Sequence, residues 1–179
     1  MMNAKARLLS WVRSPVTEEA FEAVYRAELP RIYNFFRYRV GDGPIAEDLT
    51  ADTFEKAWKK RHRYRQDIAS FSTWLYTIAR RVAIDHYRRQ RPLTSLENAR
   101  HLASAADPEL GAQRQLDFER LTLLLSRLEE RDRELIALRY GAGLANRTIA
   151  DLTELSESNV AVILHRALKK LRVMWEEPV

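Results

Sequence analysis

The 179-residue chain is 46% hydrophobic, enough for a packed core, and carries a net charge of +5, a composition that excludes wholesale disorder. It has no cysteine, which excludes disulfides and thiolate metal sites. Its longest apolar run, Val160–Leu164, is too short to cross a bilayer. Residues 1–91 hold 18 Lys+Arg against 11 Asp+Glu, whereas residues 92–179 hold 12 against 14, so a polyanion would be attracted mainly to the first half.

Residues 1–14 read as a loose tail without the apolar core of a signal peptide, so a cytoplasmic location without membrane insertion is expected. The first helix is predicted to start at Thr17, whose hydroxyl caps it, with Glu18 and Glu19 against the positive end of its dipole. Phe21, Val24, Tyr25, Leu29, Ile32, Phe35 and Phe36 recur at helical spacing, and Pro30 is expected to kink or split the element. Gly41-Asp42-Gly43-Pro44 is a turn, with Pro44 suited to the first position of the next helix.

That helix, Ile45–Lys60, turns Ile45, Leu49, Thr53, Phe54, Ala57 and Trp58 inward and Glu47, Asp48, Asp52 and Glu55 outward. Carboxylates with no histidine among them make a poor metal site, so the acidic side reads as solvated or as a docking surface for a basic partner. Lys59–Arg65 (KKRHRYR) is the densest basic run and is expected in a loop, with Tyr64 inside it.

Phe71–Arg91 reads as one helix with two faces, capped by Ser70 or Ser72. Leu75, Ile78, Ala79, Val82 and His86 form the packing stripe. Thr73, Thr77, Arg80, Arg81, Ile84 and Arg88, flanked by Tyr76 and Tyr87 and followed by Arg89 and Arg91, form the other side. Hydroxyls, guanidinium groups and rings in a row suit phosphates and unstacked bases. A basic face that simply stays wet is the competing reading.

Pro92–Gln115 is rich in Ala, Ser and Leu without periodicity, a linker that favours two domains over one. Beyond it, Leu116, Leu121, Leu124, Leu125 and Leu128 make one predicted helix and Asp132–Tyr140 another, ending at Gly141-Ala142-Gly143. A short helix over Arg147–Leu152, a turn at Glu154-Leu155 and a longer helix from Ser156 make a helix-turn-helix pattern. In the last helix Val160, Leu164, Ala167 and Leu171 face the core, and Ser158, Ala161, Val162, His165 and Lys169 face away beside Arg166. A helical hairpin that touches no DNA competes with this reading. No nucleophile–base pair is apparent, and His62, His86, His101 and His165 are scattered, so neither enzymatic activity nor a cofactor or metal is expected.

In order and spacing these segments resemble a bacterial RNA polymerase sigma factor of the extracytoplasmic-function (ECF) class, over about Phe21 to Arg172. AEDLTADTFEKAW (Ala46–Trp58) is similar to the segment that grips the polymerase clamp helices. KKRHRYRQDIAS is similar to the loop that captures a flipped promoter base, and FSTWLYTIARRVAIDHYRRQR to the −10-element segment. LEERDRELIALRYGAGL (Leu128–Leu144) resembles the opening of the second domain, which meets the polymerase flap and leads into the −35 reader.

The resemblance implies an all-α fold of two small helical domains, 1–91 and 116–179, joined by a linker, 92–115. It implies core binding through Glu47, Asp48, Asp52, Glu55 and Trp58. Contact with −10 DNA is implied for Lys59, Lys60, Arg61, Arg63, Tyr64, Thr73, Thr77, Arg80, Arg81, Arg88, Arg89 and Arg91. Contact with −35 DNA is implied for Ser158, Asn159, Val162, His165, Arg166 and Lys169. The expected partners are RNA polymerase core, promoter DNA and an anti-sigma factor.

The chain departs from the family pattern in places. The capping box before the turn falls on Ala145 and Thr148, leaving the cap to Asn146. Glu154 stands where the turn commonly carries Gly, at a cost of about 1 kcal/mol if that position needs positive φ. Ala161, Val162 and Ile163 replace basic residues of the reading helix, and Thr77 and Ile78 stand where primary sigma factors carry paired tryptophans. Two other readings stand beside this one: a helix-turn-helix regulator that binds an operator without polymerase, and a sigma-derived protein-interaction module.

Overall fold

A computed structural model describes residues 16–90 and 112–177, so the tail 1–14, most of the linker and Arg91 lie outside the described residues. Among those described, seven α-helices and no strand are present. They are α1 (Glu18–Val40), α2 (Gly43–Lys60), α3 (Phe71–Gln90), α4 (Ala112–Ser126), α5 (Glu130–Ile136), α6 (Asn146–Thr153) and α7 (Glu157–Glu176). A 3-10 turn, Arg61–Arg63, follows α2, and a π turn, Ala137–Gly141, extends α5. The architecture is all-α, as the helical periodicities imply.

Local chemistry sets the boundaries. The Thr17 hydroxyl accepts from the Ala20 amide at 3.2 Å, the Asp42 carboxylate from Ile45 at 2.8 Å, and the Ser70 hydroxyl from Thr73 at 3.1 Å. Gly41 ends α1 in the left-handed region at φ 78°, where its amide reaches the Arg37 carbonyl.

Four expectations need correction. Of the two outcomes expected at Pro30, a kink or a split, the split does not occur, and α1 runs through it. The amide it lacks would have bonded the Arg26 carbonyl, and both residues are exposed, so the missing bond falls on the solvent side of the helix, where it costs least. Lys59 and Lys60 lie on the last turn of α2 rather than in a loop. Helix α4 begins at Ala112, inside the expected linker, and Leu116 is exposed on it. Asn146 does not cap α6: Ala145 is the cap residue with no side-chain bond, and Asn146 Oδ1 is buried without a partner.

α1, α2 and α3 form one helical block around Ile32, Phe35, Phe36, Leu49, Phe54 and Leu75. α4–α7 form a second around Leu125, Leu135, Leu138, Ile149, Val160 and Leu164. The blocks are closed against one another, and their buried side chains make one continuous cluster. The middle of α1 lies on the Ala137–Gly141 turn, where a Cβ on Gly141 would stand 2.8 Å from the Asn34 carbonyl oxygen. Arg31 Nε donates to the Ala142 carbonyl at 2.8 Å. Arg39, 2% exposed, donates to the Glu130 carbonyl at 3.0 Å and stacks over Tyr87.

Candidate nucleic-acid and polymerase interface

Helix α2 carries its carboxylates as the periodicity predicts. Glu47, Asp48 and Glu55 are exposed; Asp52 pairs with Lys56 at 2.6 Å, and Glu55 pairs with Lys59. Trp58 is half-buried: Phe21 meets it edge-on at 5.0 Å, and the Arg61 guanidinium lies 3.6 Å over its ring. Beside the acidic row, α1 and α2 enclose a groove of about 570 Å³ lined by Tyr25, Leu29, Pro30, Tyr33 and Phe54, with Glu47 at its rim. Helical periodicity does not announce this groove, because an apolar stripe looks the same whether it fills a core or lines a surface cleft, and Tyr25 is 39% exposed.

The basic run wraps from the end of α2 into the following turn. Arg61 donates to the Trp58 carbonyl at 2.8 Å, and Lys59, Lys60 and Arg63 are exposed. The Tyr64 ring packs against Phe71 at 4.9 Å and Trp74 at 5.7 Å, and its hydroxyl donates to the Ala69 carbonyl at 3.1 Å. Burial raises the pKa of that phenol. Tyr64 therefore braces the loop with an aromatic cluster. The group left standing out is Ile68, 70% exposed, just after the Arg65–Asp67 ion pair at 2.6 Å.

Helix α3 has its packing stripe where expected, with His86 half-buried at its end. Tyr76 departs from its expected flank. It is fully buried, and its hydroxyl donates to Glu28 Oε2 at 3.2 Å. Burial first, and the Glu28 carboxylate second, push its pKa far above the ordinary tyrosine value. Tyr87 likewise turns inward to the Arg39 carbonyl. Thr73 shares a hydrogen bond with Ser70 at 2.9 Å, and Thr77 donates to the Thr73 carbonyl at 3.2 Å. Arg81 and Arg89 are exposed, and Arg88 is exposed while pairing with Asp85 at 3.2 Å.

Arg80 is engaged with the second block: its Nε meets Glu134 Oε1 at 3.0 Å and another nitrogen reaches the Leu152 carbonyl. Sequence reading had no means to find this pairing, since Glu134 lies 54 residues away.

The second block holds the helix-turn-helix. α6 ends at Glu154, whose φ of 58° and ψ of 30° place it in the left-handed region. Ser156 caps α7, accepting from the Asn159 amide at 3.2 Å. Ser158, Asn159, Val162, His165, Arg166 and Lys169 all lie exposed on one side of α7. Arg166 leans toward Asp132 at 3.3 Å, and Lys170 approaches the same carboxylate at 3.5 Å. Asp132 is 1% exposed, so this carboxylate ties α7 to α5. Val162 is 63% exposed, an apolar patch in the middle of the outward side.

Among the described residues no group of His, Cys, Asp or Glu is gathered for a metal, and no helix is long and apolar enough to cross a membrane.

An acidic helix, a basic turn with the helix that follows it and a helix-turn-helix thus stand together in one all-α protein. Residues 24–92 match the family described as Sigma-70 region 2, and residues 118–171 match Sigma-70, region 4. The RNA polymerase sigma factor CarQ of Myxococcus xanthus is 32% identical over 167 residues, covering 89% of this chain and 91% of that protein. The ECF RNA polymerase sigma factor BldN of Streptomyces coelicolor is 28% identical over 156 residues; the match covers 86% of this chain but only 59% of that protein's length. The sigma factor RpoE of Bartonella quintana, solved with the anti-sigma factor NepR, shares the fold at a TM-score of 0.71 and 23% identity, over 90% of this chain and 99% of that one. The chain belongs to the sigma-70 family of RNA polymerase sigma factors, in its extracytoplasmic-function group.

Proposed function

We propose that the chain binds RNA polymerase core and directs initiation at promoters through a −10 and a −35 element, with the α1–α3 and α4–α7 blocks as the two working domains and the segment between Gln90 and Ala112 as their linker. The observation that carries the reading is the side-by-side arrangement, on one block, of the acidic face of α2 and the basic surface from Lys59 to Arg89. A carboxylate row has no use against DNA. It suits a basic protein partner, and holding that partner beside a cationic groove is what promoter capture on polymerase requires.

In this mechanism Glu47, Asp48, Asp52, Glu55 and Trp58 hold the clamp helices. Lys59, Lys60, Arg61 and Arg63 form the electrostatic funnel for the parting strands, with the Arg63–Ser72 loop receiving a flipped base. Unstacking a base costs a few kcal/mol, which contacts in that loop would offset. Ile68, exposed beside the Arg65–Asp67 pair, is the apolar surface that loop offers to a base. Arg81, Arg88, Arg89 and Arg91 meet phosphates, and Arg80 joins them once released from Glu134. Ser158, Asn159, Val162, His165, Arg166 and Lys169 face the −35 duplex. Bond-making chemistry belongs to the polymerase, so the chain has no enzymatic activity or cofactor of its own, and it works in the cytoplasm where core is found. An anti-sigma factor completes the partner set, as the solved complex of the Bartonella relative suggests.

The test is to add purified protein to sigma-free core and look for run-off transcripts from genomic fragments. Transcripts from defined starts establish the function. DNA footprints without core would identify an operator-binding regulator instead. Stable association with core but no initiation would identify an interaction module, the reading favoured by the apolar Val162 patch on α7. Arg81→Ala should impair open-complex formation while leaving core binding intact; equal loss of both would remove that face from DNA.

A further inference from the structure

The outward side of α7 divides into two halves of different chemistry. No Lys or Arg occurs on the helix before Arg166, and from there Arg166, Lys169, Lys170 and Arg172 are all exposed. The N-terminal half exposes Ser158, Asn159, Ala161 and Val162, with Glu157 as its one charge. In a helix-turn-helix the N-terminal residues of the second helix meet base edges, whereas phosphate contacts set the register and carry no sequence information. Base reading on α7 therefore falls to an almost uncharged strip, and the cations behind it suit phosphates.

Within that strip two side chains are available. The Ser158 hydroxyl is shared with Ser156 at 3.1 Å, so it is engaged at the cap. Ser156 also accepts the Asn159 backbone amide at 3.2 Å, which fixes the first turn, while the exposed Asn159 carboxamide has no partner among the described residues. Val162, 63% exposed, follows three residues later. Three residues of helix rise about 4.5 Å and one base-pair step about 3.4 Å, so the two side chains fall on neighbouring base pairs.

Their chemistry selects the bases. A carboxamide offers one donor and one acceptor, which match the N7 acceptor and the N6 amino donor of adenine. Guanine offers two acceptors there, which suit Arg or Lys, and the strip has neither. Set against a cytosine or guanine edge, the Val162 isopropyl group would take water from a polar group and return no hydrogen bond. Its apolar match in the major groove is the C5 methyl of thymine. We propose that α7 reads an A·T step: the Asn159 carboxamide takes an adenine, and Val162 takes the C5 methyl of thymine in the neighbouring base pair. The proposal rests on the sigma-factor reading above and adds the base content that its −35 element must have. Glu157, the other side chain able to read a base here, matches only the cytosine amino group.

Thymine and uracil differ by that methyl alone, so the test is chemical. Holoenzyme assembled from the full chain and core is titrated at one salt concentration with a promoter duplex recovered by the run-off assay. Each thymine of its −35 element is replaced in turn by deoxyuridine, and each adenine by deazaadenine, which lacks the N7 acceptor. One deoxyuridine should weaken binding about 3- to 5-fold, the worth of one buried methyl. One deazaadenine in an adjacent base pair should weaken it about 2- to 10-fold, the worth of one hydrogen bond. Val162→Ser should be indifferent to that deoxyuridine and still sensitive to the deazaadenine, and Asn159→Ala the reverse. Both positions are exposed, so both variants should melt like the parent.

A −35 element without adjacent A·T pairs would overturn the proposal. So would the absence of a sensitive thymine, a deoxyuridine loss that survives Val162→Ser, or base discrimination that disappears with Glu157→Gln instead. Run-off transcripts from defined starts with no deoxyuridine effect would remove the A·T step alone, whereas the absence of any transcript would remove the sigma-factor reading and the proposal with it.

Discussion

The Tyr76 hydroxyl donates to Oε2 of Glu28 at 3.2 Å, joining two buried groups 48 residues apart in the chain. Glu28 Oε1 also receives Ser72 at 2.9 Å and Arg31 at 3.0 Å, and Arg31 in turn holds the Ala142 carbonyl of the second block. One carboxylate thus fixes α3 against α1 and orients an interdomain contact. Removing it takes the acceptor from the buried Tyr76 hydroxyl and one bond each from Ser72 and Arg31, which are partly exposed. Glu28→Ala should cost about 2–4 kcal/mol, since water restores part of what Arg31 and Ser72 lose, whereas Tyr76→Phe, which removes a single bond to a charged group, should cost about 1.5–3 kcal/mol. Urea denaturation of the two variants checks the ranking, and a Glu28→Ala loss no larger than that of Tyr76→Phe would refute the hub.

The helix-turn-helix carries two local defects that substitution should repair. Ala145 has the extended backbone of a cap residue, φ −70° and ψ 151°, with no side chain to accept an amide. Ala145→Ser should add about 1 kcal/mol. Glu154 bears a Cβ at φ 58°, so Glu154→Gly should add about 0.5–1 kcal/mol, the left-handed penalty less the extra freedom of glycine in the unfolded chain. The two sites lie at opposite ends of α6, and their effects should add in a thermal melt, together raising Tm by roughly 3–7 °C.

What could be read from the sequence follows from the range of the forces involved. Caps at Thr17 and Ser156 act within three residues, and the apolar stripes of α2, α3 and α7 repeat within two turns, so helices and their inner faces were legible. The left-handed site at Glu154 was legible too, because its expected place follows the short helix of a helix-turn-helix. Pro30 misled because its effect depends on whether the orphaned carbonyl meets water, a tertiary fact. Tyr76 and Arg80 looked like members of an exposed row. Their partners, Glu28 and Glu134, lie 48 and 54 residues away, and no local pattern announces such a pairing. Gly141 read as a helix stop; its closeness to Asn34 belongs to the packing of two blocks across the linker.

His86 supplies a pH dependence. Burial first, and the charge of Arg89 second, hold its pKa below the ordinary 6.5. Above that value the imidazole is neutral both folded and unfolded and contributes no slope. As the pH drops below 6.5 the unfolded chain binds a proton that the folded one refuses, so stability falls until the folded pKa is passed and then levels. His86→Gln should flatten this part of the profile. Melting both proteins from about pH 7.5 to about pH 5 checks it; parallel curves would remove His86 as the cause.

The outward side of α7 presents Val162, 63% exposed, between Ser158 and Arg166. If α7 lies in the major groove, this position sits over base edges or a phosphate, and a valine there contributes no charge and only a methyl-sized contact. Val162→Arg should then strengthen binding of −35 duplex by the polymerase holoenzyme and steepen the dependence of log K on log salt by about one phosphate contact, a slope change of about 0.9. The substitution is on the surface of a helix whose core positions are Val160, Ile163, Leu164 and Ala167, so the melting temperature should stay unchanged. Filter binding of holoenzyme across a salt series reads both the affinity and the slope. A variant that folds normally yet shows neither gain would take Val162 out of the DNA interface and leave its apolar patch to a protein partner.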